Sequence, residues 1–235
     1  MAHAAQVMNL AQLLRQTARL FPHRLGLIHG ERSWTWAELD RRVDALVTAL
    51  RSLGVGAGDR ILVHSRNNGA MFESCWAAFR LGAVWVPTNF RLEPPEVAYL
   101  GSSSGAVVML CEQVFAPAHV DAVRAASPAL KHVVGIGGEA RAEPRNESRN
   151  ESRNQARAGV HAYEALIAAH LPPPGEQVAE ATVGADHPLW FFYTSGTTGR
   201  PKAAVLTHGQ MAFVVANHLA DLIPGTDERD VSIAV

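Results

Sequence analysis

Short apolar runs of strand length alternate with helical stretches along most of this chain, and that alternation limits the folds open to it. Residues 60–64, 84–86 and 132–136 are almost continuously apolar and lack the polar alternation of a half-exposed strand. Such strands are buried on both faces, as in parallel sheets covered by helices. The sequence therefore predicts an α/β fold with largely parallel sheets layered with helices.

The pattern also predicts where individual elements lie. Asn9 is expected to cap a first helix with an apolar face, and Thr35 and Glu38 have the spacing of a capping box that begins a second. A hairpin is predicted from residues 25–29 and 32–35. Further strands are predicted at 60–64, 84–86, 106–110, 132–136, 189–193 and 203–206, with another beginning at 230–235. The second helix is expected to carry an apolar stripe over 39–53, and further helices are predicted at 68–81, 95–100, 118–126 and 162–170.

Composition excludes several classes of protein. The formal net charge is −1, so the strong basic excess of a general nucleic-acid binder is missing. No apolar run approaches the roughly 18–20 residues needed to span a bilayer. Cys75 and Cys111 are the only cysteines, and the eleven histidines show no metal-ligand spacing. We therefore expect a cytoplasmic chain with no membrane span, no nucleic-acid partner and no protein-bound metal.

The segment from 139 to 158 is unlike the rest of the chain. It contains the unit Asn-Glu-Ser-Arg twice in succession, at 146–153, and has almost no apolar content. A segment with nothing to bury is expected to be a mobile surface insertion. A charged, solvated helix is the alternative, because opposite charges lie near helical spacing.

The chemistry of the chain is concentrated where an apolar strand meets a polar, glycine-rich run. After Leu189-Trp190-Phe191-Phe192-Tyr193 come Thr194-Ser195-Gly196-Thr197-Thr198-Gly199-Arg200-Pro201-Lys202. Glycines let backbone N–H groups converge on anionic oxygens, and the hydroxyls and the lysine can donate further hydrogen bonds. We call residues 194–202 the loop segment, and its composition predicts a polyphosphate site.

Two other interpretations of the loop segment are weaker. The P-loop of the NTPases needs four residues between its glycines and then Gly-Lys-Ser/Thr at the start of a helix. Here two residues separate Gly196 from Gly199, and a strand is predicted after Lys202. A plain hairpin turn is the other alternative, but a turn needs only two to five such residues and no following Pro-Lys.

The loop segment, closed by Leu206-Thr207-His208, resembles the AMP-binding signature of the adenylate-forming enzymes. Three earlier segments are also similar to that family: Ser33–Leu39, Gly58–Ile61 and Leu81–Leu92. Thr88–Leu92, followed by Glu96 and Tyr99, is more similar to acyl- and aryl-CoA ligases than to peptide-synthetase adenylation domains. Ala203 departs from the family, which often has glycine there.

The resemblance implies the fold of the family's N-terminal domain and a two-step reaction. A carboxylate attacks the α-phosphorus of Mg-ATP, giving an acyl-adenylate and pyrophosphate, and coenzyme A then displaces AMP. By resemblance, ATP, Mg2+ and coenzyme A are the cofactors and co-substrates, and a small carboxylic acid, fatty or aryl, is the substrate. The residues implied to cradle the β- and γ-phosphates are Thr194, Ser195, Gly196, Thr197, Thr198, Gly199 and Lys202. His208 is implied either to approach the substrate side of the site or to cap or pack a helix.

Members of the family are roughly twice as long as this chain, and their later adenine, ribose and catalytic-lysine segments are not found in it. Residues 9–235 are therefore expected to form the N-terminal part of an AMP-binding domain whose C-terminal remainder is absent. No catalytic residue is expected within these residues, and the isolated chain is expected to be inactive. The alternative is a truncated, non-catalytic chain with at most weak nucleotide or partner binding. The acid and the oligomeric state stay open.

Overall fold

The computed structural model describes residues 8–137, 160–195 and 199–233, so the predicted insertion lies outside the described residues. The helices are α1 (Gln12–Leu20), α2 (Trp36–Ser52), α3 (Gly69–Leu81), α4 (Pro94–Ser104), α5 (Ala118–Ala126), α6 (Tyr163–His170) and α7 (His208–Asn217), followed by a π-helical turn (His218–Leu222). The strands are β1 (Leu25–His29), β2 (Arg32–Thr35), β3 (Arg60–His64), β4 (Val84–Pro87), β5 (Val108–Glu112), β6 (His132–Ile136), β7 (Val160–Ala162), β8 (Pro188–Thr194) and β9 (Lys202–Thr207).

The strands form one large sheet and one small hairpin. The large sheet has seven strands in the order β7-β6-β5-β3-β4-β8-β9. All neighbours in it are parallel except β8 and β9, which are antiparallel. Strands β1 and β2 pair separately and antiparallel, as the sequence predicts. The prediction of a largely parallel α/β fold is confirmed.

Alternate residues of the central strands enter two separate cores. Ile61 and Val63 of β3 pack into a core covered by α1, α2, α3 and α6, whereas Leu62 packs into a core covered by α4 and α5. The predicted apolar residues of α2, such as Val43 and Leu50, are fully buried in the first core. Burial on both faces explains why these strands are apolar at successive positions.

A buried network of charges joins α1, α2 and α3. Asp44 of α2 accepts hydrogen bonds from Arg15 at 2.8 and 3.0 Å and from Arg80 at 2.7 Å. Asp40 lies within 2.8 Å of Arg15 and 2.5 Å of Arg80. Removing one carboxylate would leave an uncompensated buried charge, which costs on the order of 3–5 kcal/mol. The network therefore holds three helices in one arrangement.

The first helix differs from its prediction. It begins at Gln12 with Ala11 as N-cap, and the side chain of Asn9 instead accepts from the Ala11 amide and donates to the Ala181 carbonyl. Apolar periodicity predicts Leu13, Leu14 and Leu20 on or near one face of this helix, but of these only Leu14 is buried, and Leu13 and Leu20 are exposed. The buried face of α1 instead includes Arg15, because the Arg15 side chain forms ion pairs with Asp40 and Asp44 in the charge network.

Strand β5 lies two residues later than predicted. The predicted helix at 95–100 continues to Ser104 and ends at Gly105, whose φ is +64°. The amide of Ala106 still donates to the carbonyl of Gly101, so residue 106 belongs to the helix ending. The strand can begin only after this closing hydrogen bond is made.

Predictions near the C-terminal end of the described residues are wrong in part. Strand β8 forms, but of the five residues 189–193 of the predicted apolar strand only Leu189 is buried, and Phe192 is 48% exposed. Residues 231–233 form no strand, and Val231 and Ile233 are more than four-fifths exposed. An apolar run becomes a buried strand only where a neighbouring strand and covering helices exist. No described element supplies them here.

Candidate phosphate-binding loop

Strands β8 and β9 present the loop segment at the end of an antiparallel hairpin. Their register places Thr194 opposite Lys202, so seven residues, 195–201, connect the strands. The connection is thus a hairpin in its geometry, and it is longer than the two to five residues of a common hairpin turn. The two polar ends of the predicted phosphate site, Thr194 and Lys202, are brought side by side.

The structure describes four of the seven predicted phosphate-binding residues. Thr194, Ser195, Gly199 and Lys202 are all exposed, and Gly199 has a φ of +84°, a backbone conformation that favours glycine. The other three, Gly196, Thr197 and Thr198, lie outside the described residues. The described hydroxyls and the lysine side chain are therefore accessible to a ligand at the hairpin end.

Positive charge is concentrated at the C-terminal end of the loop segment. Arg200 and Lys202 are both exposed, and Pro201 lies between them. No described residue forms a salt bridge with Lys202. An anionic ligand would therefore not have to break an ion pair within the described structure to reach this ammonium group.

Helix α4 contacts Tyr193, just before the loop segment, and residues 200 and 201 near its end; we call these the N-terminal and C-terminal flanks, and the sequence does not predict the contacts. The hydroxyl of Tyr99 donates to the carbonyl of Pro201 at 3.2 Å, and the Arg200 guanidinium lies 5.7 Å from the centre of the Tyr99 ring. The hydroxyl of Tyr193 donates to Oγ of Ser103 at 3.2 Å. Tyr99 and Ser103 are four residues apart, so they share one helix face. That spacing is evident in the sequence, but its partners about a hundred residues away are not.

His208 lies at the far end of β9 from Lys202 and is fully buried. His208 is six residues after Lys202, a distance of about 20 Å at 3.3–3.4 Å per residue of strand. Nδ1 of His208 accepts a hydrogen bond from the Leu10 amide at 3.0 Å, and burial lowers its pKa to about 4. His208 packs at the start of α7, where Thr207 is the cap, and its approach to the substrate side of the site stays a prediction.

Other candidate features do not join the loop segment. Among the described residues, no three His, Cys, Asp or Glu side chains converge on a point that could hold a metal ion. A cavity of about 470 Å3 lies beside the ends of β5, β6 and β7 and is lined by residues such as Trp34, Arg42 and Tyr163. None of its lining residues belongs to the loop segment. In the part of the chain that the structure describes, no helix is both long and apolar enough to cross a membrane.

Comparison with known sequences identifies a matching family and several relatives of this chain. Residues 14–235 match the sequence family described as AMP-binding enzyme. A feruloyl-CoA synthase of an Amycolatopsis species is 35% identical over 90% of this chain. A long-chain-fatty-acid–CoA ligase of Thermus thermophilus is 31% identical over 97% of it. The alignments cover only 36% and 38% of these two relatives, so both are more than twice as long as this chain.

Solved structures of two CoA ligases have a fold similar to that of this chain. An anthranilate CoA ligase, AuaEII, in complex with anthranoyl-AMP matches 92% of this chain and 38% of its own, with a TM-score of 0.77 and 22% identity. A benzoate CoA ligase from Burkholderia xenovorans matches with a TM-score of 0.72, also at 22% identity, over 92% of this chain and 37% of its own. At these identities the likeness concerns the fold. With the family match over residues 14–235, it follows that the chain belongs to the AMP-binding enzyme family.

Proposed function

We propose that this chain is part of an ATP-dependent carboxylic acid–CoA ligase. In the reaction, an oxygen of the acid carboxylate attacks the α-phosphorus of ATP and pyrophosphate leaves. The thiol of coenzyme A then attacks the acyl carbon, giving acyl-CoA, AMP and a proton. The observation that carries the proposal is the exposure of the described hydroxyls and of Lys202 in the loop segment of an AMP-binding family member.

The loop segment would hold the pyrophosphate portion of ATP during the first step. The attacking carboxylate and the triphosphate are both anionic, so catalysis depends on neutralising charge and on positioning the reactants. Hydrogen bonds from Thr194 and Ser195 to a charged group contribute about 1.5–3 kcal/mol each. The Lys202 ammonium adds about 4 kcal/mol of raw attraction at 4 Å near a surface, before desolvation is counted. We assign the same role to Gly199 and to the three residues outside the described structure: Gly196, Thr197 and Thr198.

The proposed acid is fatty or aryl. The named relatives support both classes, because one is a feruloyl-CoA synthase and another a long-chain-fatty-acid–CoA ligase. Mg2+ would arrive with ATP as its counterion, and no step is assigned to a metal bound by the described residues. We also propose the cytoplasm as the compartment, which the two free cysteines, Cys75 and Cys111, support.

We propose that this chain alone does not catalyse adenylation, because it spans just over a third of the length of the ligases it matches. The measurement is ATP–pyrophosphate exchange with the purified 235-residue chain and a panel of fatty and aryl acids. We expect no exchange above the background without acid. Acid-dependent exchange would contradict the proposed inactivity, while supporting the assignment as a ligase.

The chain offers a clean test of phosphate binding because it contains only two lysines, Lys131 and Lys202. Acylation of lysines by an amine-reactive reagent, read by peptide mass spectrometry, would be measured with and without inorganic pyrophosphate or ATP. We expect the ligand to slow labelling of Lys202 and to leave Lys131, which is also exposed, unchanged. Equal rates at Lys202 with and without saturating ligand would contradict the proposed site.

Matched variants measure how much the Lys202 charge contributes to the free energy of pyrophosphate binding. Lys202→Met removes the charge and retains most of the side-chain stem, and Lys131→Met does the same at a remote exposed position. Losing a hydrogen bond to a charged group costs about 2 kcal/mol, so Lys202→Met should weaken pyrophosphate binding roughly thirtyfold. Lys131→Met should leave the dissociation constant within about twofold of wild type. Equal weakening by both variants would point to non-specific charge attraction.

A second candidate function is binding without catalysis, to a nucleotide or to a partner. It is favoured by large exposed apolar side chains such as Phe192, Val205 and Phe213 in the hairpin and α7. Apolar surface of this kind commonly marks an interaction site. Pyrophosphate binding together with an absence of exchange fits this candidate and the ligase part equally. The two are separated by whether exchange appears in a longer chain containing the same 235 residues.

A further inference from the structure

We propose that Tyr99 of α4 is a positioning residue for the loop segment and sets the direction of the Pro201–Lys202 peptide. The consequence for phosphate binding rests on the function proposed above. The positioning itself rests on contacts between α4 and the two flanks of the loop segment.

The hairpin end needs such support because the main sheet holds it at one point only. The ladder between β4 and β8 contains a single pair, Trp85 with Trp190. Strand β4 ends at Pro87, which has no N–H to donate to a ladder. On the other side, β9 pairs with β8 alone in the described sheet. Beyond Trp190, the backbone of the hairpin therefore has no hydrogen-bonded neighbour in the parallel part of the described sheet.

Helix α4 is a rigid support. Its residues Val97 and Leu100 are buried in the core that it shares with α5. Arg60 holds its C-terminal end by donating to the carbonyls of Ser104 and Gly105 at 2.8 and 2.7 Å. A Cβ added at Gly101 would lie 2.7 Å from Val123 of α5, so the two helices are in close contact. Groups on the opposite face of α4 are accordingly held in fixed positions.

Tyr99 connects this fixed helix to the C-terminal flank of the loop segment. Its hydroxyl donates to the Pro201 carbonyl at 3.2 Å. Because the peptide group is planar, the direction of this carbonyl also sets the direction of the Lys202 N–H. The Tyr99 ring lies 5.7 Å from the Arg200 guanidinium, so the residue before Pro201 is in contact with the same side chain.

Ser103 of α4 contacts the N-terminal flank of the loop segment. It lies one turn after Tyr99 and accepts a hydrogen bond from the Tyr193 hydroxyl at 3.2 Å. Tyr193 immediately precedes Thr194, the first residue of the loop segment. One face of α4 therefore contacts both flanks, and the hairpin end is held before a ligand arrives. A preorganised site binds more tightly because less ordering is required on binding.

The first test measures backbone order directly, by hydrogen exchange in the full 235-residue chain. Tyr99→Phe keeps the ring and removes the hydroxyl. A neutral hydrogen bond of ordinary strength corresponds to about fivefold in an opening equilibrium, so exchange in a peptide covering residues 199–204 should accelerate about fivefold. Exchange in a peptide covering residues 188–190 should not change, because this part is paired with β4 through Trp190.

Tyr163→Phe is the matched control, since it also removes one tyrosine hydroxyl. That hydroxyl donates to Glu73 at 2.7 Å in the core beside α2, away from the hairpin. Tyr163→Phe should lower global stability without a selective effect on residues 199–204. The proposal is overturned if Tyr99→Phe leaves exchange at 199–204 unchanged, or if Tyr163→Phe accelerates it selectively to the same degree.

The second test separates positioning from a merely structural role. We expect Tyr99→Phe to weaken inorganic pyrophosphate binding about fivefold, while the melting temperature falls by no more than about 2–4 °C. Incorporating 4-aminophenylalanine at position 99 restores a donor at the same place and should recover most of the affinity. Failure of this rescue, with the variant folded, would overturn the role of the hydroxyl. If wild type binds no pyrophosphate, the proposed function fails, and the exchange measurement still decides the positioning role.

Discussion

At the scale of single residues, hydrogen bonding determines the protonation state of two buried histidines. Nδ1 of His208 accepts from the Leu10 amide, so it carries no proton. Nδ1 of His64 lies 2.6 Å from the hydroxyl oxygen of Thr88, and this hydroxyl donates to the Val63 carbonyl. His64 must then be the donor to Thr88, and its Nε2 has no partner among the described residues. Both rings are neutral in the fold, and burial lowers the pKa of each to about 4.

These two histidines predict acid sensitivity. Their pKa is about 4 in the folded chain against an ordinary value of 6.5, so the unfolded chain binds more protons between these limits. The free energy of unfolding should therefore be at its full value above pH 7 and fall as the pH is lowered from 6.5 toward 4. At pH 5 the loss is on the order of 1–2 kcal/mol for each histidine. Urea denaturation at several pH values measures it.

Single variants identify the histidine responsible. His208→Asn can keep an acceptor near the position of Nδ1 but cannot be protonated, so the decrease in stability between pH 7 and 5 should become smaller. His29→Asn is the control, because His29 is exposed. It should leave the pH dependence as in wild type. An unchanged pH dependence in His208→Asn would contradict the assignment.

At the scale of elements, α2, α3 and α4 end at glycines with positive φ, and these glycines differ in their surroundings. Gly54 follows α2 with a φ of +80° and has nothing within 4 Å of an added Cβ. Gly82 ends α3 with a φ of +67°, and an added Cβ would lie 2.9 Å from Val183 and 3.1 Å from Ala181. Gly82 therefore serves both as a helix end and as the place where residues 181–183 approach α3.

This difference predicts unequal costs for the same substitution. Gly54→Ala should lower the free energy of unfolding by about 1 kcal/mol, the cost of a left-handed conformation for a residue with a Cβ. Gly82→Ala should cost about 1–3 kcal/mol more, because overpacking is added to the same strain. Urea denaturation of both variants measures the difference. Equal costs would show that residues 181–183 move aside freely.

At the scale of the whole molecule, burial is uneven along the chain. The central strands are covered on both faces, as at Ile61 and Leu62. From β8 onward, large apolar side chains are exposed, including Phe213 at 71% and Leu222 at 73%. The part of the chain from β8 onward therefore presents large apolar side chains to solvent, whereas the central strands do not.

This uneven burial predicts self-association of the chain at high concentration. Replacing both Phe213 and Leu222 by serine should lower the apparent mass measured by light scattering, because less apolar surface is then exposed. Leu20→Ser is the control, since Leu20 is also exposed, at 63%, but lies on α1. A similar decrease in Leu20→Ser would show that the surface from β8 onward has no particular role.

Local patterns are sufficient to predict most of the elements and the location of the loop segment. Strand β3, strand β6 and helix α5 have the predicted bounds. The reason is that apolar periodicity, caps and glycine stops are properties of neighbouring residues. The glycines, hydroxyls and lysine of the loop segment are likewise contiguous in the chain, so their chemistry follows from the order of the residues alone.

Tertiary structure decided what neighbouring residues cannot encode. The antiparallel pairing of β8 with β9 and the exposure of Phe192 depend on which elements lie beside the hairpin. The burial of His208 depends on Leu10, almost two hundred residues earlier, and the support of the loop segment depends on Tyr99. Sequence by itself determined the fold class and most of the elements, and it predicts a polyphosphate site in the loop segment, because these arise from local composition and spacing. Only the tertiary structure decided which side chains hold that loop segment in position, because those contacts join residues far apart in the chain.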